Sequence, residues 1–182
     1  MENLRILAVV AALLYLTGCA SGAQMGNMVF EGPIKGYDAA LENNVNVASV
    51  SGGEETNPAW TSEIDDDAFV GALKQSLRNQ GLLSGEGQYQ LEALLLEVDQ
   101  PMFGLDMEVT THVKYILTKR DNGEVLLNET IVAPYTATVG DAFAAIKRLR
   151  LANEGSGNAN IEGLLEKLSE LDIQPGDIAL SR

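Results

Sequence analysis

Apolar and polar residues alternate through the middle of the chain in a pattern typical of β-strands. The clearest alternation covers residues 107–117, where odd positions are mostly apolar and even positions mostly polar. A period of two predicts a strand with one buried and one solvent-facing side. Asp121-Asn122-Gly123 then predicts a hairpin, because Asn-Gly readily adopts the positive φ angles of a tight turn. The return strand is expected over residues 124–137.

Two earlier stretches also have the composition of strands. Residues 45–50 alternate valine with small or polar residues and end at Ser51-Gly52-Gly53. Residues 89–98 are rich in leucine on both faces. Apolar residues on both faces indicate a strand that is covered on both sides over part of its length. The sequence therefore predicts four strands.

Helical spacing of apolar residues predicts a helix that begins near residue 62. Ser62 and Asp65 have the spacing of a capping box, and Gly81 is placed to end the helix. Acidic residues fill the first turns, where the helix dipole favours negative charge. One face of the helix carries an apolar stripe formed by Ile64, Ala68, Ala72, Leu73 and Leu77.

The C-terminal part of the chain is also predicted to be helical. One apolar stretch contains Ala142, Phe143, Ile146 and Leu149. The segment Gly155-Ser156-Gly157 is expected to bend or interrupt the helix. A second stripe at helical spacing follows it and consists of Ile161, Leu164, Leu165, Leu168 and Leu171.

The order of these elements is strand, helix, three strands and helix, or β-α-β-β-β-α. A sheet with one apolar face needs helices on that face. We therefore expect the α+β class, with a two-layer sandwich in which helices cover one face of a four-stranded, mostly antiparallel sheet.

A different pattern occupies the N-terminus. Arg5 precedes an apolar run at residues 6–16, which has the length of a secretory h-region. The run is too short to cross a bilayer, which takes roughly 20 residues. It leads into Leu16-Thr17-Gly18-Cys19, and Cys19 is the only cysteine of the chain. This stretch resembles the bacterial lipobox, in which an aliphatic residue, a small residue and Gly or Ala precede the modified Cys.

The resemblance implies that Leu16, Thr17 and Gly18 are recognised by a signal peptidase that cuts before Cys19. It also implies that Cys19 carries a diacylglycerol and an N-acyl chain such as palmitate. The chain would then divide into a signal peptide (1–18), the lipidated Cys with a flexible tether (19–42), a periplasmic α+β domain (43–175) and a C-terminal tail (176–182). The alternatives are an ordinary signal peptide with an incidental Cys and an uncleaved anchor.

Charge limits the classes of partner. The formal net charge is −14 and the pI is about 4.3. Nucleic-acid binding is disfavoured, because neutralising phosphates needs clustered Lys and Arg. Membrane attachment is expected to come from the acyl chains on Cys19, since more than one chain gives stable anchoring. Ala20 follows Cys19; in enterobacterial lipoproteins an Asp there retains the protein in the inner membrane, so the resemblance implies an outer-membrane location facing the periplasm.

The order of elements behind the lipobox resembles a set of small Gram-negative envelope lipoproteins, among them the lipoprotein of lipopolysaccharide assembly. Residues 148–171 resemble the C-terminal signature of an uncharacterised group of such proteins. Some sequences of this kind have been labelled acyltransferases, but no residues in this chain support that activity.

The candidate catalytic and metal-binding residues are few. His112 is the only histidine, and it lies on the polar side of a predicted strand without a Gly-x-Ser-x-Gly elbow. Asp65-Asp66-Asp67 lack the alternate ligand spacing of a calcium loop. The glycine-rich segments do not lead into a phosphate-binding loop. We therefore expect no catalytic residue, no metal and no cofactor.

Three residues could contact a partner. Trp60, the only tryptophan, is placed either to pack at the start of the first long helix or to act as an exposed anchor. Arg148 and Arg150 form a small basic cluster that either pairs with nearby acids or meets an anionic partner.

These features favour a non-catalytic accessory or interaction subunit of an envelope assembly, with a protein partner. Binding of a lipid or other apolar ligand between helices and sheet is the alternative. An enzyme is the least favoured class.

Overall fold

The computed structural model describes residues 21–57 and 61–173. Within them, four strands form one sheet in the order β1-β2-β3-β4. The strands are β1 (Val45–Ser51), β2 (Tyr89–Asp99), β3 (Met107–Lys119) and β4 (Val125–Ala137). β1 pairs with β2 in parallel, whereas the other two pairs are antiparallel.

In the part of the chain that the structure describes, three helices accompany the sheet: α1 (Met25–Met28), α2 (Asp66–Asn79) and α3 (Ala145–Ser169), with a 3₁₀ turn at Ala39–Leu41. The predicted α+β fold, with a mostly antiparallel four-stranded sheet and helices packed on it, is confirmed. None of the helices in these described residues has both the length and the apolar composition to cross a bilayer.

The hydrophobic core lies between α2, α3 and one face of the sheet. Phe69, Leu73 and Leu77 of α2 are fully buried, as are Leu91 of β2 and Tyr115 of β3. The predicted stripe of α3 is buried too: Ile161, Leu164, Leu165 and Leu168. The alternation predicted for residues 107–117 is confirmed, because the odd positions of β3 face this core.

The start of α2 differs from the predicted capping box. The N-cap is Asp65, whose side chain accepts a 2.7 Å hydrogen bond from the Ala68 backbone N–H. Ser62 lies before the helix, fully buried, and its hydroxyl donates to the Ser21 carbonyl at 2.8 Å. Either residue can cap a helix, so tertiary contacts decided between them. The predicted end is confirmed, because Gly81 follows the helix with φ +73°.

Helix α3 is continuous where an interruption was predicted, and Gly155-Ser156-Gly157 lies inside it. A Cβ at Gly155 would collide with the ring of Tyr135, and one at Gly157 with the sulfur of Met28. These glycines therefore permit close approach of the helix to the sheet and to α1. Phe143, predicted to be helical, precedes α3 and is 95% exposed.

Residues 21–42 also differ from the prediction, because they pack against the domain where a flexible tether was expected. Met28, Phe30 and Leu41 are buried. The Phe30 backbone N–H donates to the Ser76 hydroxyl of α2 at 2.9 Å, and Gln80 accepts from Tyr37 at 2.8 Å. This N-terminal segment therefore belongs to the folded unit. Its small residues and short helix gave no periodic signal from which packing could be inferred.

Replacing Met28 by alanine tests whether the N-terminal segment contributes to stability. Met28 is fully buried against α3, so we expect Met28→Ala to lower the free energy of unfolding by about 2–5 kcal/mol. The measurement is urea unfolding followed by circular dichroism. Met102→Ala is the matched control, because Met102 is 87% exposed and should cost no more than about 0.5 kcal/mol. Equal effects of the two substitutions would exclude the segment from the folded unit.

Candidate functional site

Only part of the predicted site lies within the described residues. Leu16, Thr17, Gly18, Cys19 and Trp60 are outside them, so lipidation at Cys19 and the role of Trp60 stay predictions. Arg148 and Arg150 are described, and they differ in environment.

Arg148 is buried and braces two loops, which replaces the expectation that it could contact a partner. Arg148 is only 5% exposed. One guanidinium nitrogen, Nη1, donates to the carbonyls of Ala142 at 2.8 Å and Phe143 at 2.7 Å. Nη2 reaches the Gly104 carbonyl at 3.5 Å. The side chain thus connects the β2–β3 loop to the β4–α3 loop.

Arg150 pairs with an acid, as one of the two predicted interpretations had it. Its Nε lies 3.4 Å from Oε1 of Glu154, one helical turn away. Glu154 is 2% exposed and also accepts from the Gln24 backbone N–H at 3.0 Å and the Asn27 amide at 2.8 Å. Arg150 also donates to the Ser21 hydroxyl at 2.8 Å. The pair therefore fastens the start of the described chain to α3.

The two loops that Arg148 connects carry large apolar side chains in water. Met102, Phe103 and Leu105 of the β2–β3 loop are 87%, 83% and 79% exposed, and Phe143 is 95% exposed. Val139 of the β4–α3 loop is 43% exposed. We call these five side chains the apolar tip. Large exposed apolar patches mark interaction surfaces, and these five side chains project from two loops that Arg148 holds together.

An acidic cleft of about 620 Å³ opens beside the apolar tip. Its lining includes Leu96, Met102 and Leu149 together with carboxylates from Glu54, Glu63, Glu97 and Asp99. The pKa of the Glu63 carboxyl is raised above its ordinary value, chiefly because partial burial disfavours the charge. A hydrogen bond from Thr61 opposes this shift, while the negative charge of Glu54 adds to it.

His112 lies on the sheet face opposite the helices, next to the carboxylates of Glu97 and Asp99. In register it faces Glu97 on β2 and Val132 on β4, and its Nε2 is 3.4 Å from Oδ2 of Asp99. A β-bulge between Leu95 and Glu97 lets both carboxylates project on this face. One ligand atom from each of the three residues lies within 4.8 Å of the others. Imidazole and carboxylates suit a divalent transition metal, but both acids are exposed, and exposed acidic groups are common without a metal.

Sequence reasoning missed a buried polar network between α3 and the sheet. The Ser156 hydroxyl donates to the Ala133 carbonyl at 2.7 Å and accepts from the Thr111 backbone N–H at 2.9 Å. The Asn160 amide donates to the Ile131 carbonyl at 3.0 Å and accepts from the Tyr115 hydroxyl at 2.9 Å. The available signal was a run of polar residues inside an otherwise apolar helix face. These contacts are structural, because they satisfy buried polar groups.

Comparison with known proteins finds similarity in fold but not in sequence families. No protein-family model matches this chain, and no curated protein matches it. XCC0632 from Xanthomonas campestris, a DUF330 protein, is similar with a TM-score of 0.57 at 11% identity, over 82% of this chain and 93% of that one. A minor lipoprotein from Acinetobacter baumannii has a TM-score of 0.49 at 10% identity, over 71% of this chain and 94% of that one. The first similarity shows a common fold, and the second is too weak to support more.

The raised pKa of Glu63 predicts a pH-dependent effect on stability. The pKa of the Glu63 carboxyl is higher in the folded than in the unfolded protein. The side chain therefore makes its full contribution to the free energy of unfolding when it is protonated, below the unfolded pKa of about 4.3. This contribution is lost as the pH rises through the folded-state pKa. We therefore expect Glu63→Gln to raise the melting temperature at pH 7, with the gain disappearing below about pH 4. Thermal unfolding across this range is the measurement. Glu86→Gln, at an exposed loop carboxyl, is the control; a gain from Glu63→Gln that persists unchanged at low pH would contradict the assignment.

Proposed function

We propose that this protein is a lipid-anchored lipoprotein on the periplasmic face of the outer membrane, with a non-catalytic domain that serves as an accessory or interaction subunit in envelope biogenesis or transport. The observation that carries the proposal is Leu16-Thr17-Gly18-Cys19 after an apolar run of secretory length, with Cys19 as the sole cysteine. An unpaired cysteine in an exported protein needs a role, and lipidation supplies one. Ala20 supports the outer-membrane location through the sorting rule of enterobacterial lipoproteins.

The attachment of the N-terminal segment supports a domain held close to its anchor. Ser21 is hydrogen-bonded to Ser62 and Arg150, and the chain from Ala23 to Phe30 is packed against α2 and α3. Two residues of extended chain reach about 7 Å. An acylated Cys19 would therefore hold the domain within a short distance of the membrane surface.

The environment of the histidine favours a non-catalytic role. His112 lies beside the carboxylates of Asp99 and Glu97, and a histidine–carboxylate pair is half of a relay of the hydrolase type. Its neighbours in register, Glu97 and Val132, supply no hydroxyl or thiol that the imidazole could activate for acyl transfer. The acyltransferase label given to some similar sequences therefore finds no support at this position.

Binding of an apolar ligand between helices and sheet is less well supported. The interface is filled by fully buried side chains such as Phe69, Tyr115 and Leu164. The acidic cleft lies at the margin of this interface, and four carboxylates line it. A ligand there would have to be cationic as well as partly apolar.

Replacing Cys19 tests the anchor. Cys19→Ser removes the thiol that accepts the diacylglycerol, so we expect an uncut precursor, no incorporation of labelled palmitate and loss of the normal outer-membrane fraction. Thr17→Ser is the control, because it keeps a small residue in the motif and should be processed normally. Cleavage and fractionation that are unchanged in Cys19→Ser would refute lipidation.

The accessory role predicts a protein partner in the envelope. Crosslinking in intact cells, followed by purification and mass spectrometry of proteins and lipids, should recover one envelope protein in near-equal amounts with the anchored chain. Recovery should fall sharply for Cys19→Ser, which removes the chain from the outer membrane. A co-purifying lipid without any protein would instead support the ligand-binding alternative.

A further inference from the structure

Hydrogen bonds hold the two loops that carry the apolar tip in a defined conformation. The β4–α3 loop is ordered by Asp141, whose carboxylate accepts from the Thr138 backbone N–H at 2.7 Å and from its hydroxyl at 2.9 Å. The buried guanidinium of Arg148 holds the Phe143 carbonyl in this loop and the Gly104 carbonyl in the neighbouring one. The backbone is therefore fixed while the apolar side chains point into water.

The described chain begins at the same end of the domain as the apolar tip. Ser21 accepts from Ser62, whose own carbonyl accepts from the Gln100 amide at 3.1 Å. Gln100 is followed directly by the loop that carries Met102 and Phe103. On the other side, Ser21 is bonded to Arg150, two residues along α3 from Arg148. Cys19 precedes Ser21 by two residues, so covalent geometry places it within about 7 Å of this end.

We propose that the apolar tip inserts into the interface of the lipid leaflet in which Cys19 is anchored, and so fixes the orientation of the domain on the membrane. The proposal rests on the lipid anchor proposed above and adds a second point of membrane contact. Two exposed phenylalanines, a methionine and a leucine form the kind of apolar surface that partitions into a headgroup–acyl boundary. The anchor makes the bilayer the nearest apolar phase to this surface.

Charge identifies the kind of lipid surface. Asp106 and Asp141 flank the apolar tip, and the chain carries 26 acidic against 12 basic residues. The exposed Lys147 also lies at this end, at the start of α3. The two aspartates and the four carboxylates of the acidic cleft outnumber it, so anionic headgroups would repel this end of the domain. The tip is therefore suited to a zwitterionic surface, such as phosphatidylethanolamine, where the apolar side chains supply the attraction and the two aspartates stay hydrated.

The opposite end of the sheet provides a control position. β3 leads away from the tip over 13 residues, a length of about 40 Å at 3.3 Å per residue. Glu86 lies at this far end, because the carbonyl of Gln88, two residues further on, accepts from the Arg120 backbone N–H just after β3 ends. Insertion of the tip should leave Glu86 in water, well outside the hydrocarbon.

A single introduced thiol can report the depth of each position. Cys19 is the only natural cysteine, and acylation removes its free thiol, so Phe143→Cys, Phe103→Cys and Glu86→Cys each carry one reactive site. The full-length protein, purified from membranes, is labelled with an environment-sensitive fluorophore and reconstituted into phosphatidylethanolamine vesicles containing brominated acyl chains. Labels at 143 and 103 should show a blue shift and several-fold stronger quenching than the label at 86.

Two further measurements separate the anchor from the tip. The parent protein should take up no label, since its one thiol is acylated; labelling would show that the anchor fails, independently of the tip. With Phe103→Ser and Leu105→Ser added, the label at 143 should lose most of its quenching while the melting temperature stays unchanged, because both side chains are exposed. Quenching at 143 that equals quenching at 86 would overturn the proposal, as would protection of the label by a bound protein instead of lipid.

Stronger quenching of the label at 143 when phosphatidylglycerol is added to the vesicles would overturn the choice of lipid surface.

Discussion

The hydrogen bonds that the buried polar side chains of α3 make are the interactions on which the arrangement of the domain depends. A buried donor or acceptor left unpaired costs about 1–3 kcal/mol, which favours contacts between the buried polar residues of this helix and particular neighbours. Arg148 holds the two loops of the apolar tip, and Glu154 holds the N-terminal segment. Ser156 and Asn160 hold β3 and β4. Together with the close contacts at Gly155 and Gly157, these bonds fix the position of the helix on the sheet.

The same helix shows why part of the structure could be predicted and part could not. The strands and the hairpin depend on local signals: alternation at residues 107–117, and the Asn122-Gly123 turn, whose glycine has φ +72°. These elements could be predicted because residues close together in sequence determine their conformation. Nearby residues do not predict that α3 is continuous, because Gly155 and Gly157 disfavour a helix in isolation. Contacts with Tyr135 and Met28 impose the helical conformation.

The candidate site, too, could be predicted only in part from the sequence. The resemblance to a lipobox rests on continuous residues, so the sequence alone carries it, and lipidation at Cys19 stays a prediction. The burial of Arg148 and the exposure of Phe143 reverse the usual tendencies of their residue types, and they are linked, because the arginine holds the loop from which the phenylalanine projects. Periodicity placed Phe143 in an apolar helical stripe. Only the three-dimensional course of the β4–α3 loop turns its side chain outward.

The packing of residues 21–42 has a consequence for how the domain could search for a partner. A lipoprotein with a long free linker samples a hemisphere of periplasm whose radius grows with linker length. Here the chain is bonded to the domain from Ser21 onward, so a lipid-anchored Cys19 would leave almost no linker. The domain would then diffuse in two dimensions at a nearly constant height. Encounters with partners embedded in the same membrane would be favoured by a raised effective concentration, and partners in the opposite membrane would have to extend across the periplasm themselves.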